Sequence, residues 1–322
     1  MQSFPFSSYL YDVKPFHYLL LSLLFLGMGL EDVHAAVYAV VISGGRSKMY
    51  NHERYWNDCA FLYRTLRQDY AIPTQHINLL MADGDNPATD MLRTGAAGFA
   101  SSPTDLDGDG LPDLHLAATL NNLTSTFDNL AKNLTPSDHL LLFIVNHAER
   151  PADGGQPFLW LWNGEQLSSE QLAAMLSPCR PAAMTIVLGQ CYAGAFAEVL
   201  QGEGRVVMAA CSANQLSWAT PDRTYDEFIY HWTCAVAGHD EQNQPVPSDL
   251  DADSHITMAE AFTYARQHDR RPETPLLLAW PEALPAQYSL AGAVLSITNT
   301  LYTPSDPSTA IYDLQGRHVR QK

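Results

Sequence analysis

Two apolar runs constrain what this chain can fold into. Ala182–Gly194 reads Ala-Ala-Met-Thr-Ile-Val-Leu-Gly-Gln-Cys-Tyr-Ala-Gly, and Leu140–Val145 reads Leu-Leu-Leu-Phe-Ile-Val. Short runs like these, without polar alternation, are how strands buried on both faces of a parallel sheet read. Each apolar run ends in a chemically capable residue: Asn146-His147 follows Leu140–Val145, and Gly189-Gln190-Cys191 follows Met184–Leu188. The carboxyl ends of parallel strands share one edge of their sheet, and open α/β sheets place their ligands there. A short helix is expected after the second corner, from Ala195 to Gln201.

Free cysteine is among the most buried residue types, so a packed structural Cys191 is the plain alternative. A histidine with a matching address argues for chemistry. The imidazole can take the thiol proton or hold the thiolate, the minimum for nucleophilic catalysis.

The order strand, His, about forty residues, strand, Gln-Cys, with a Gly close behind, resembles the caspase-like cysteine peptidases, and the legumain-like branch in particular. The resemblance runs from about Ala36 to Gly238. It covers the opening strand, the Tyr50–Asp58 segment, the two strands above and Ala209–Ala219. It implies that Cys191 is the nucleophile and His147 the general base. It further implies an oxyanion hole from the N–H groups of Cys191 and Ala148. Ser217 and Trp218 match the stretch that lines the pocket for the substrate residue before the cut bond. Asp226, at the start of the next helix, would favour a basic or amide side chain there, or would simply complement the helix dipole. This chain departs from the family at three places. Ala148 stands where a Gly is usual, Asn146 where an Asp is frequent, and Ser43-Gly44-Gly45-Arg46 offers no clear counterpart of the asparagine that orients the histidine.

Residues 1–35 look like an export signal. Tyr18–Leu26 is nearly all apolar, Lys14 is the single early basic residue, and Val33-His34-Ala35 supplies small residues for cleavage. An uncleaved anchor is the alternative, although the run is short for a membrane span. Removing the segment takes the formal charge from −17 to −15, since it holds Asp12, Glu31, Asp32 and Lys14. So acidic a chain is a poor partner for nucleic acid or an anionic membrane. Five cysteines fit one reactive thiol plus up to two disulfides, and equally five free thiols.

Two acidic loops read as calcium sites. Asp249, Asp251, Asp253, His255 and Glu260 occupy ligand positions of an EF-hand-like loop, with Ser254 where Gly is usual. Asp105, Asp107, Asp109 and Asp113 form a partial loop with Gly110 at the sixth position and Leu116 where the final acid would stand. An acidic surface turn is the alternative. Ser43-Gly44-Gly45 lacks the G-x-G-x-x-G pattern, so phosphate binding is not expected.

Strands alternate with helical patterns, which predicts an α/β fold: a mostly parallel sheet of about six strands flanked by helices. Strands are expected at Val37–Ile42, His76–Met81, Arg205–Ala210 and Leu276–Trp280. Helices are expected at Glu53–Arg67, from Leu116 to Leu134, at Ser168–Leu176, Asp226–Ala237 and Met258–His268. Phe158–Trp162 followed by Asn163-Gly164 is a hairpin signal. The peptidase-like domain spans 36–280, and 281–322 is a β-rich tail. Ala310–Val319 resembles C-terminal secretion tails, or closes a simple hairpin.

The sequence therefore describes an exported cysteine endopeptidase acting on proteins or peptides, with structural calcium and no cofactor for the chemistry. A transpeptidase or thiol esterase would use the same dyad. The alternative class is a calcium-loaded, non-catalytic scaffold or binding protein on the same fold.

Overall fold

The computed structural model describes residues 35–95 and 98–291. The expected export signal up to His34 and the tail pattern at Ala310–Val319 lie outside the described residues. Along the chain the strands are β1 Val37–Ser43, β2 Ile77–Met81, β3 Met91–Leu92, β4 Phe99–Ala100, β5 His139–Val145, β6 Ala148–Glu149, β7 Phe158–Trp160, β8 Gln166–Ser168, β9 Ala183–Leu188, β10 Arg205–Ala209 and β11 Leu276–Trp280. The helices are α1 Glu53–Arg64, α2 Leu120–Asn133, α3 Ser169–Leu176, α4 Ala193–Leu200, α5 Glu227–Ala237 and α6 Met258–His268. No helix among the described residues is long and apolar enough to cross a membrane.

Six strands form one sheet in the order β11-β10-β9-β5-β1-β2, parallel except for the antiparallel edge strand β11. This is the expected caspase-like α/β architecture. β5 and β9 sit at its centre, buried along their whole length. Their continuous apolar character follows from the layers they separate. Leu141, Phe143 and Val145 face a core built with Tyr63, Phe228 and Trp232, while Leu140, Leu142 and Ile144 face one built with Leu123, Phe127 and Phe196. The helices α1, α5 and α6 therefore cover one face, and α2, α3 and α4 the other.

Local chemistry fixes most of the boundaries. Ser168 and Gln171 form a reciprocal capping box that starts α3, and Thr257 with Glu260 does the same for α6. The Asn163-Gly164 turn takes φ of 60° and 76° and joins β7 to β8 as a hairpin. Several boundaries shift by a few residues, and the largest shift is at α2. Helical spacing begins at Leu116, yet α2 starts at Leu120. The Leu116 carbonyl accepts from Met81 N at 3.0 Å, which ties this segment to the end of β2, and Thr119 caps the helix by accepting from Asn122 N. All five cysteines are free thiols, so the alternative with two disulfides does not hold.

The turn after β1 is sterically closed. Gly44 has φ 118°, and a Cβ on it would lie 2.2 Å from Ala82 N. Gly44→Ala is expected to destabilise the fold by roughly 2–4 kcal/mol, because an overpacked backbone contact adds to a φ that L-residues avoid. Thermal or urea unfolding of the variant checks this, and an unchanged midpoint would contradict it.

Candidate active site

The two corners noted in the sequence meet at one edge. Ile144 pairs with Leu188 in the parallel ladder, and Gly189 N continues it to Ile144 O at 2.7 Å. His147 and Cys191 each lie three residues beyond that pair. Gly189 is needed at the corner, since a Cβ there would come within 2.5 Å of Ile229 Cγ1. Cys191 is half-buried and is followed by Tyr192 in the left-handed region, φ 58°, which turns the chain sharply into α4. Tyr192 N donates to Gln215 O at 2.8 Å. No acceptor meets the Cys191 N–H among the described residues.

His147 is held by its neighbour. The Asn146 carboxamide oxygen accepts from Gly45 N at 2.8 Å and from His147 N at 2.7 Å, while its Nδ2 donates to Trp160 O at 2.7 Å. One side chain thus ties the turn after β1, the histidine backbone and β7 together. The imidazole is enclosed by Tyr50, His52 and Tyr55, each ring in edge contact at centroid distances of 5.9, 5.2 and 5.4 Å. Its Nε2 is buried, and no hydrogen-bond partner meets it among the described residues. Burial first, then His52, Arg54 and Arg46, pushes the His147 pKa down to about 3. Burial also pushes the Cys191 thiol up, against hydrogen bonds from Ser217. At neutral pH the resting pair is a neutral thiol and a neutral imidazole.

Ala148 opens β6 opposite Leu159. Trp160 N donates to His147 O at 3.0 Å, which makes Ala148–Leu159 a non-hydrogen-bonded pair. The Ala148 N–H therefore points off the ladder, away from β7, and β6 is the outer strand of its small sheet.

The Cys211–Ala219 segment runs beside the thiol. Sγ of Cys191 lies 3.9 Å from both the Ser217 carbonyl and the Ser217 hydroxyl. Trp218 is 40% exposed and its N–H donates to Glu273 Oε2 at 3.0 Å. The Arg271 guanidinium lies over its ring, 5.4 Å from the centroid. Burial first, then Asp269, raises the Glu273 pKa to about 10, so this carboxyl is neutral at pH 7. Asp226 is buried and does not cap α5 through its side chain. It pairs with Arg54 at 2.9 Å, and its N–H donates to Asp58. Burial pushes both Asp58 and Asp226 up, and Arg54 opposes this at Asp226. Helical periodicity marks Tyr55 only as an apolar core position and does not single out Tyr50, His52, Arg54 or Glu273. Their only sequence signal is the likeness of the Tyr50–Asp58 segment to the family, and for Glu273 there is none.

The acidic loops lie apart from these residues in sequence and have matching geometry. Ligand oxygens of Asp105, Asp107 and Asp109 lie within 4.8 Å of one another, as do those of Asp249, Asp251 and Asp253. In each loop the first aspartate accepts two backbone N–H bonds: Asp105 from Gly108 and Gly110, Asp249 from Asp253 and Ser254. The sixth residue is left-handed in both, Gly110 at φ 88° and Ser254 at φ 69°. That is the turn a calcium loop requires at this position. Asp113 instead binds the Tyr63 hydroxyl and Leu106 N, and Glu260 binds Leu250 N and Thr257. His255 donates its backbone N–H to Asp253.

No curated protein matches the chain. The family model described as Peptidase C13 family matches residues 37–270, from the first residue of β1 to just beyond α6. That span includes both corner residues, the Ser217–Trp218 wall and the Arg54–Asp226 pair, and it exceeds half of the chain; the chain belongs to the peptidase C13 family, the legumain family of cysteine peptidases.

Proposed function

We propose that the protein is an exported cysteine endopeptidase whose nucleophile is Cys191 and whose base is His147. The observation that carries the reading is their placement three residues past one ladder pair of neighbouring parallel strands, with Ser217 against the sulfur. His147 Nε2 is sealed among Tyr50, His52 and Tyr55 without a hydrogen-bond partner, which leaves Nδ1 as the ring nitrogen to accept the thiol proton. The sulfur then attacks the scissile carbonyl. The free N–H groups of Cys191 and Ala148 receive the developing oxyanion. On collapse the C–N bond breaks, the imidazolium returns its proton to the leaving amine, and a thioester remains. Water, deprotonated by the same imidazole, releases the acid and regenerates the thiol. Ser217 and Trp218 would line the pocket for the residue before the cut bond. Export rests on the apolar segment at residues 18–26 and its small-residue cleavage positions.

Cys191→Ala is expected to reduce peptide-library cleavage by at least about 10³-fold while the melting temperature stays within a few degrees. Undiminished cleavage would end the proposal. A peptidyl electrophile separates the peptidase from a non-catalytic scaffold: the enzyme is labelled at Cys191 only when native, whereas a scaffold reacts no faster than free cysteine.

The low pKa of His147 sets the expected pH profile. A depressed base stays unprotonated down to its own pKa, so it remains competent through the range where a free histidine would be charged. The profile of kcat/KM, which reports the free enzyme, is expected to show no acid limb near pH 6.5 and to fall only toward about pH 3. A single ionisation near 6.5 governing the acid side would contradict this.

Calcium in both loops completes the proposal. The ion at 249–260 would staple the start of α6, whose Met258, Ala261, Phe262 and Ala265 are buried in the core. It would act on stability, not on the chemistry. Excess chelator is expected to lower the melting temperature, and Asp249→Ala to remove most of the shift; equal shifts in both proteins would assign the ion elsewhere. Ser254→Gly, which relieves a left-handed serine, is expected to stabilise the loop by about 1 kcal/mol.

A further inference from the structure

We propose that the hairpin between Trp218 and Glu227 borders a cation-binding subsite that takes an arginine or lysine side chain of the peptide substrate; this rests on the peptidase reading above. The hairpin is closed by Glu227 N to Trp218 O at 2.9 Å and Thr220 N to Tyr225 O at 2.8 Å. A cavity of about 410 Å³ lies against it, and its eight lining residues include Asp222, Glu227, Glu241, Tyr225, Tyr230 and His231. Three of the eight carry carboxylates and two carry phenol rings.

Hydrogen bonds hold the carboxylates in place. Glu227 is only 4% exposed; its Oε1 accepts from Arg270 N at 3.2 Å, while Oε2 is buried and without a partner. The Glu241 carboxylate is fixed by the Tyr230 hydroxyl. Asp222 is kept ionised by hydrogen bonds from the Thr220 hydroxyl and Thr224 N. His231, 3.8 Å from Glu227, offers no charge at neutral pH, because burial first, then His268 and Arg270, pushes it down to about 4. Among the described residues no cationic side chain comes within ion-pair distance of Asp222 or Glu241.

The shape favours an organic cation over a metal ion. Among the described residues, only the two aspartate loops bring three acidic, His or Cys ligand atoms within 4.8 Å of one another. Here the acids are spread around two tyrosine rings whose centroids are 4.8 Å apart. A guanidinium or ammonium on a long stem suits such a site, with carboxylates for its charge and aromatic faces for its cation–π and stem contacts. The cavity is also within reach of a bound peptide. Ser217 touches the Cys191 sulfur, and Thr220 follows three residues later, a span of at most about 10 Å of chain. An extended substrate lying along this hairpin would bring a side chain two or three residues from the cut bond to the cavity.

The test is cleavage by the full chain of peptides carrying Arg, Lys, norleucine or Glu at each of four positions on either side of the cut. At one of these positions kcat/KM for Arg and Lys is expected to exceed norleucine at least tenfold. That ratio is expected to fall below about threefold in Asp222→Asn and Glu241→Gln, which alter an exposed and a half-buried group, and in the isosteric Glu227→Gln. Cleavage with no basic preference at any position, or a preference unchanged in all three variants, would overturn the subsite and leave the peptidase reading standing. If the wild type cleaves none of these peptides, the peptidase reading fails. Binding of a fluorescent Arg peptide against its norleucine counterpart then decides: a preference lost in the variants supports the cavity, and equal binding overturns it.

Discussion

The parallel ladder between β5 and β9 is the constraint on which the catalytic edge depends. Six residue pairs run in register from His139–Ala183 to Ile144–Leu188. A slip of one strand by a single residue would turn its alternating side chains to the opposite layer and break both cores. The same register delivers His147 and Cys191 to neighbouring places at the sheet edge. The packing that makes the fold therefore also fixes the relative position of the proposed nucleophile and base.

Asn146 extends that order into the loops. Its carboxamide satisfies two backbone donors and one backbone acceptor from three segments. The family's orienting asparagine lies after the first strand and has no clear counterpart here. In this chain the turn after β1 is instead held by an asparagine from the histidine strand, and the imidazole is oriented by packing against three rings. Directional bonding is thus used for the backbone, and shape for the side chain.

What was legible in the sequence is what depends on a short window. The buried strands, the Asn163-Gly164 hairpin, the start of α3 at Ser168 and the bounds of α6 all follow from residues within a few positions of one another. Leu116 shows the limit. Its spacing continues the helix, but a hydrogen bond to Met81 pulls it to the sheet, and periodicity carries no information about that partner. The floor of the site was hidden for the same reason. Arg54 meets Asp226 across 172 positions, and Glu273 meets Trp218 across 55. Asp226 could be singled out, but whether it faced a pocket, a dipole or an arginine was fixed only by the distant strand order.

The neutral resting state of the proposed dyad has a consequence for the lifetime of the protein. Peroxides and stray electrophiles react with thiolates far faster than with thiols. A nucleophile whose proton is retained by burial, beside an imidazole too desolvated to hold the charge, is shielded from such adventitious damage between turnovers. In the proposed mechanism, reactivity arises only when a bound carbonyl makes proton transfer worthwhile. The desolvation that makes the histidine a poor resting ion partner would then act as a chemical safety catch, released by substrate.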